Sequence, residues 1–503
     1  MQARRLFSIV PFLTQSSSPP SDCEREIAST SLDEGGTLGP ARDGRRLWLA
    51  VAALTLVGLA VRLFAARGAL WLDEAWSAMF AKEAATPAGV FFRVNHDNNH
   101  FLNTLWLQLV GPGAWPIAQR ALSIACGTAA IPLAAAFARR RGTAAALIAA
   151  LGFAVSPILV TYGAEARGYA PMLLATLTAL LIVDRWLETR SRRASLWLTL
   201  TALTGMLAQL LMTASLAAIA GWTFLAVRRQ RGPDAALRET PALLGGAACA
   251  VALVLGVMAF AAHAAPGGFA VGSYEPFAVR EWDGAVGIAL GWTIGAGNLP
   301  ALAAAFAAIA AAALLAARRA DRRAPFYAIA ILAYPLAFVL LRIGNAGMPR
   351  YYLLAAVGLL LLLAEIGGTM LARGGWRRAA AGVAIVLFVA GSATLDARII
   401  ANRRGDPAAA IAAMRARSPA GATVALDSGR MTPVLTFAAR DAGYPLKVRE
   451  DACADTRFLL LGGTPDSADL ARITHCGRHY RQIARASVFG LSGTWWWLFE
   501  REK

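Results

Sequence analysis

The chain has 503 residues, 57% of them apolar and only 16% charged, with a mean hydropathy of +0.50. This composition excludes an ordinary soluble protein of that length and points to a polytopic membrane protein. The formal charge of +18 would suit a nucleic-acid binder, but the arginines stand in short clusters between apolar segments and form no continuous basic face, so no nucleic-acid partner is expected.

The first 46 residues are rich in Ser, Pro and Gly with mixed charge. Such a segment buries too little apolar surface to order itself and reads as a cytoplasmic tail. Residues 1–13 resemble a signal sequence, with Arg4 and Arg5 ahead of an apolar run, but the run is short and contains Pro11.

Apolar stretches near residues 47–66, 117–137, 143–160, 169–186, 195–212, 213–227, 241–262, 299–317, 325–341, 351–371 and 379–395 give eleven expected crossings. Basic clusters fall at 42–46, 139–141, 185–193, 228–238, 318–323 and 373–378, which is every second loop. Because cationic loops stay cytoplasmic, this alternation places the amino terminus inside and the segment after the last span outside. The expected fold class is an all-α polytopic membrane domain, residues 47–395, followed by a small extracytoplasmic α/β domain, residues 396–503. In that last segment a helix is predicted at 407–417 and strands at 423–426, 457–461 and 492–500.

Only Cys453 and Cys476, of five cysteines, share the oxidising side. They read as a disulfide or as two buried small residues; a zinc site with His475 and His479 fits no common finger spacing.

The first outer loop, residues 67–116, carries more polar chemistry than a connector needs. Its aromatics, Trp71, Trp76, Phe80, Phe91, Phe92, Phe101 and Trp106, suit amphipathic helices at a membrane interface. Asp73 and Glu74 stand side by side there. Two readings compete: helix N-terminal carboxylates meeting the dipole, or a general base, Asp73, beside a carboxylate that holds a partner in place. His96 and His100 are spaced i, i+4, which on a helix would aim both imidazoles at one divalent metal with a nearby carboxylate; otherwise these polar residues shape the acceptor entrance, or Asp97 and Asn98 cap a helix, so a metal stays open.

Between the third and fourth spans lie Tyr162, Glu165, Arg167 and Tyr169, charges at membrane depth that are either a structural ion pair or a brace for Asp73. Arg342, Arg350 and Tyr351 fall on the same outer side, where arginine is disfavoured. A lipid phosphate held by paired guanidinium donors would explain them, with Arg350 the stronger candidate; the alternative is snorkelling to headgroups.

These residues carry a resemblance. Asp73-Glu74 after the first span, Arg120-Ala121-Leu122-Ser123 opening the second, Ser156-Pro157 followed by Glu165-Ala166-Arg167-Gly168-Tyr169, and Arg350-Tyr351 before a late span together resemble the GT-C membrane glycosyltransferases, in the branch of protein mannosyltransferases and lipid A aminoarabinose transferases. The resemblance implies an inverting transferase of a bacterial plasma membrane. Its donor would be a polyprenyl-phosphate sugar, its acceptor a glycan, lipid or protein hydroxyl outside the cytoplasm, and its base Asp73. Many relatives carry His-Pro-Pro-Leu in the first outer loop, where this chain has Asp97-Asn98-Asn99-His100-Phe101-Leu102, which implies a different acceptor pocket.

Two rival readings are a transporter or lipid flippase and a non-catalytic scaffold. The first would place charges or helix breakers mid-span and repeat one half of the chain in the other, whereas Asp184 and Glu365 fall near span ends. The second leaves the outer arginines unexplained. A sugar-nucleotide donor is disfavoured because no Gly-rich phosphate loop is present.

Overall fold

The computed structural model describes residues 40–272, 274–299, 321–463 and 471–502, with isolated positions between 305 and 314. The expected tail up to residue 39, with its signal-like run, and most of the expected span at 299–317 lie outside the described residues.

In hydrocarbon each peptide group must be satisfied within its own segment, so the apolar stretches become helices. In chain order these are α1 (Pro40–Ala65), α2 (Leu72–Ala84), α3 (Pro87–Phe92), α4 (Phe101–Val110), α5 (Pro116–Ala138), α6 (Thr143–Val155), α7 (Pro157–Gly163), α8 (Tyr169–Thr189), α9 (Arg193–Ala208), α10 (Met212–Arg231), α11 (Pro233–Ala264), α12 (Val279–Thr293), α13 (Ala324–Leu340), α14 (Leu353–Arg373) and α15 (Gly375–Asn402). Among the described residues α1, α5, α8, α11, α14 and α15 are the six long and apolar enough to cross a membrane. A seventh arises if α6 and α7 count as one span bent by 56°. The bend falls at Ser156-Pro157, where proline lacks an N–H and pushes its predecessor out of helical geometry. Helices also stand where spans were expected at 195–212, 213–227 and 325–341, but α9 and α13 are short and α10 ends in Arg228, Arg229 and Arg231.

The interfaces are built from small residues. Ala130, Ala134, Ala135 and Ala138 of α5 and Ala145, Ala146, Ala149 and Ala150 of α6 are all buried, which lets backbones approach closely where lipid provides no hydrophobic drive. A Cβ on Gly58 of α1 would lie 2.4 Å from Ile131 of α5. At one end of the bundle Asp184 and Glu365 are both taken up by Arg323, at 2.6 and 2.7 Å, with Arg140, Arg141 and Arg322 around them. These acids close a salt-bridge cluster, which leaves them no role as mid-membrane carriers of charge.

After α15 come α16 (Ala408–Arg417), β1 (Ala422–Leu426), α17 (Thr432–Asp441), β2 (Leu446–Arg449), β3 (Phe458–Gly462), β4 (Arg472–His475), β5 (Arg478–Ala486) and β6 (Trp496–Arg501). The sheet runs β2-β1-β3-β6-β5-β4; β2, β1 and β3 are parallel, the other pairings antiparallel. The expected helix and three strands are present within a few residues, while α17, β2, β4 and β5 were not anticipated. Cys453 and Cys476 form a disulfide with Cα atoms 5.5 Å apart.

The sheet does not keep its core to itself. Val424, Leu426, Leu435, Phe458, Leu460 and Trp496 pack in one cluster with Ala69, Leu70, Ala75 and Ala78, which belong to α2 and its approach. The helix that carries Asp73 is therefore wedged between the membrane helices and the sheet. Trp71, Phe80 and Phe101, expected at a lipid interface, are buried by this arrangement.

Candidate active site

Helix α2 separates the two neighbouring carboxylates. Glu74, in the first turn, is fully buried, and its Oε2 accepts the Trp71 N–H at 3.2 Å, a favourable place for negative charge at a helix start. Arg120 of α5 meets it in a fork: Nε to Oε1 at 2.8 Å and Nη2 to Oε2 at 2.5 Å. The remaining Arg120 donors reach the carbonyls of Ala66, Gly68 and Ala69, so all of its N–H groups are used and the turn from α1 into α2 is pinned to α5. Burial pushes the Glu74 carboxyl up, but Arg120 outweighs it and the net shift is downward, which keeps Glu74 ionised.

Asp73 turns the other way, into a cavity of about 610 Å³. Its Oδ2 is hydrogen-bonded by Arg167 Nη1, and Arg350 Nη1 lies 3.3 Å from the same atom. Asn98 completes the ring, accepting from Arg167 Nη2 at 2.5 Å and donating to the Asp73 carbonyl at 3.0 Å.

Arg167 is held by a loop whose backbone groups are engaged by neighbouring side chains. Ala166 N–H donates to Glu74 Oε1 at 2.7 Å; Asn103 donates to the Ala166 carbonyl at 2.7 Å, and Ser123 to the Arg167 carbonyl at 2.8 Å. Gly168 N–H donates to His100 Nδ1 at 3.0 Å. Glycine is required at 168 because a Cβ there would lie 1.7 Å from the Ala208 carbonyl oxygen. The guanidinium also sits over Tyr169, 5.0 Å from the ring centre. Arg350 occupies a short turn at Pro349–Tyr352 ahead of α14; its side chain is 22% exposed and its Nε has no hydrogen-bond partner.

Asp73, Arg167, Arg350, Tyr169, Tyr351, His96, Asp97 and His100 all border this one cavity. Arg342 does not: it is exposed in the turn after α13, in a left-handed conformation with φ 50°. The helical i, i+4 face for a metal is absent, since residues 95–100 form a turn between α3 and α4. His100 is buried, with Nδ1 accepting from Gly168 and Nε2 3.1 Å from Gln209, and burial beside Arg167 and Arg350 holds it well below the usual histidine range. It is a neutral bracket for the Arg167 loop. His96 Nδ1 lies 2.7 Å from Asp97, whose Oδ1 also accepts the Gly272 N–H at 3.1 Å. Among the described residues the one group of His, Cys, Asp or Glu close enough to share an ion is Cys453, His475 and Cys476, where the two thiols are joined to each other.

Glu165 is buried behind this layer and does not reach the cavity. Arg404, at the root of the α/β domain, approaches it to 3.8 Å and donates to the carbonyls of Ala65 and Ala164 at 2.7 and 3.1 Å. Burial pushes the Glu165 carboxyl up to about 7, against Arg404 and with help from Glu74. A carboxyl raised in the folded state stabilises fully below its unfolded value, and that contribution is lost as pH rises towards about 7. The expected result is a protein that melts higher at pH 5.5 than at pH 8, by an amount on the order of 3 kcal/mol at most, and a Glu165→Gln variant in which this slope is flattened. Thermal scans across that range would show an unchanged slope if Glu165 were not responsible.

No protein-family model matches the sequence, and no curated protein matches it. Solved structures do match. The crystal structure of ArnT from Cupriavidus metallidurans bound to undecaprenyl phosphate aligns with a TM-score of 0.53 at 13% identity, over 90% of this chain and 98% of that one. The apo state of the same protein aligns with a TM-score of 0.50 at 13% identity, over 91% and 98%. The chain has the GT-C fold. Within this fold the likeness takes in the α/β domain as well as the helices, given how nearly complete both coverages are.

Reading the sequence missed what orients the residues of this cavity. Arg120 was noted only as part of a motif, although an arginine at the opening of a span signals a buried partner. Asn98 reads in the sequence as a helix cap and Gln209 gives no signal, because an amide in a polar loop looks the same whether it faces solvent or a guanidinium. Arg404 lay in what read as a domain boundary.

Proposed function

We propose that this protein is an inverting glycosyltransferase that moves a sugar from a polyprenyl-phosphate carrier to an acceptor hydroxyl on the outer side of a bacterial plasma membrane. The observation that supports this most is the meeting of Asp73 with Arg350, 277 positions apart in the chain, in a single cavity of about 610 Å³. The relative with the same fold is bound to undecaprenyl phosphate. Such a carrier suits a site whose arginine keeps Nε unengaged while one Nη stays near the carboxylate.

In this reading the polyprenyl tail lies in the bilayer and its phosphate is bound by Arg350. The acceptor oxygen forms a bond to the anomeric carbon from the face opposite the phosphate. Its proton passes to Asp73, the C–O bond to phosphate breaks, and the electron pair leaves on the phosphate oxygen, where Arg350 meets the growing charge. That leaving group is already anionic and needs no acid, so one carboxylate suffices where soluble inverting glycosidases use two. Arg167 and Asn98 fix the angle at which Asp73 faces the acceptor. Glu74 stays ionised behind it and holds Arg120.

The test is transfer in lipid nanodiscs with radiolabelled polyprenyl-phosphate sugars, following release of polyprenyl phosphate. Turnover is expected with at least one donor, and Arg350→Ala should raise the donor KM by about 10- to 100-fold, the scale of a lost charge-assisted phosphate contact. Movement of the lipid across the bilayer without cleavage would instead establish the flippase reading.

A further inference from the structure

One wall of the cavity comes from the α/β domain. Arg430 borders it, opposite in chain and fold to Arg350, and sits in the short turn Gly429–Met431 that follows β1. Its position is fixed by its backbone: the Arg430 carbonyl accepts from Trp76 Nε1 at 3.1 Å, and its N–H is capped by the Ser428 hydroxyl at 3.3 Å. Trp76 lies one turn beyond Asp73 on α2, so this contact ties the Arg430 turn to the face that carries Asp73.

The guanidinium is different from its neighbours in the cavity. Arg167 and Arg350 each pair with Asp73, whereas among the described residues Arg430 has no ion pair and its side chain makes no hydrogen bond. Glu450, an acid of the same domain, accepts from the Thr432 hydroxyl at 2.7 Å. Asp97, the other acid in the cavity, is occupied by His96 and the Gly272 N–H. Asp73 faces Arg167 and Arg350 together and Asp97 is held by His96, so no acid of the lining is left to balance Arg430.

The place also fits general rules for open α/β sheets. β1 is followed by α17 and a parallel return to β2 on one side, while β3 pairs with β1 on the other. The carboxyl end of β1 is thus a switch point, where such sheets bind ligands. Asp427, the residue after β1, accepts the Gly462 N–H at 3.0 Å, so it too is engaged away from Arg430.

We propose that Arg430 is a specificity-determining residue that recognises an anionic group, carboxylate or phosphate, on the acceptor beside its reacting hydroxyl. This rests on the transferase reading above, with Arg350 engaged by donor phosphate. The α/β domain then selects the acceptor while the membrane domain holds the donor.

The test uses the full chain in nanodiscs with undecaprenyl phosphate saturating the bilayer, so that Arg350 is already occupied. Binding of methyl β-glucoside, methyl β-glucuronide and methyl β-glucoside 6-phosphate is measured by calorimetry. The wild type should prefer the charged probes by about tenfold or more, the scale of a charge-assisted pair. Arg430→Ala should remove that preference, Arg430→Lys should keep part of it, and Arg430→Glu should invert it. The two anions distinguish carboxylate from phosphate as the group recognised. An equal preference in wild type and Arg430→Ala, or none in the wild type, overturns the inference even if sugar transfer is observed. Loss of the preference in Arg430→Ala without any transfer by the wild type would leave the anion site standing and remove the transferase reading.

Discussion

Replacing Asp73 by Asn should lower turnover by about 10³-fold, within the range a positioned general base contributes, while leaving the donor KM within a few-fold of wild type. The amide is nearly the same size and keeps an oxygen for Arg167 Nη1, so the ring of Arg167, Asn98 and Asp73 persists, but it cannot take a proton. The two parameters separate because the proposed reaction has Asp73 act on the acceptor in the transition state and Arg350 bind the donor phosphate. Steady-state kinetics on a donor shown to turn over, with thermal melting as a control for folding, decide the matter. Turnover retained within tenfold would remove Asp73 as the base.

The second large effect falls on folding. Glu74→Gln should destabilise the protein by about 3–5 kcal/mol, because it leaves the Arg120 guanidinium ionised and enclosed without its counter-charge. Both side chains are wholly inaccessible to solvent. The neighbouring Asp73→Asn change, at a 21% exposed side chain, should move the melting temperature little. Arg120→Met combined with Glu74→Leu should be milder than either single change, since it removes both charges together. Melting temperatures of wild type, Arg120→Met, Glu74→Leu and the double variant in one detergent complete the cycle, with Glu74→Gln and Asp73→Asn measured beside them. If Glu74→Gln melted with the wild type, the carboxylate would have to be assigned a role in the cavity after all.

These two residues show how far the sequence could be read. An acidic pair after the first apolar segment was visible as unusual, and its aspartate was singled out for chemistry, but nothing in two adjacent letters says which one faces the cavity. That is decided by the helical rotation of α2, which starts where Trp71 N–H meets Glu74. The helices of the membrane domain and the α/β character of the last hundred residues were legible because hydropathy and composition act over whole segments. Arg350 was legible for a related reason, as a charge on the side of the bilayer where arginine is unusual. The i, i+4 histidine pair misled because spacing implies a face only on a helix, and Gly168 and Ala270 draw that stretch into a turn instead. Strands β4 and β5 were missed since they are rich in arginine and histidine, with few apolar residues to mark them.

The α/β domain grips the approach to α2 through backbone groups: Asp406 accepts the Ala69 N–H at 3.1 Å, Thr494 accepts the Leu72 N–H at 3.0 Å, and Arg404 reaches the Ala65 carbonyl. A truncated chain ending at Asn402 would strip those amides of their acceptors and uncover Leu70 and Ala75 at the same moment. The globular portion is therefore no removable appendage. It is the keystone that seats the first turn of the helix carrying Asp73, so trimming this protein to its hydrophobic part would unseat that residue.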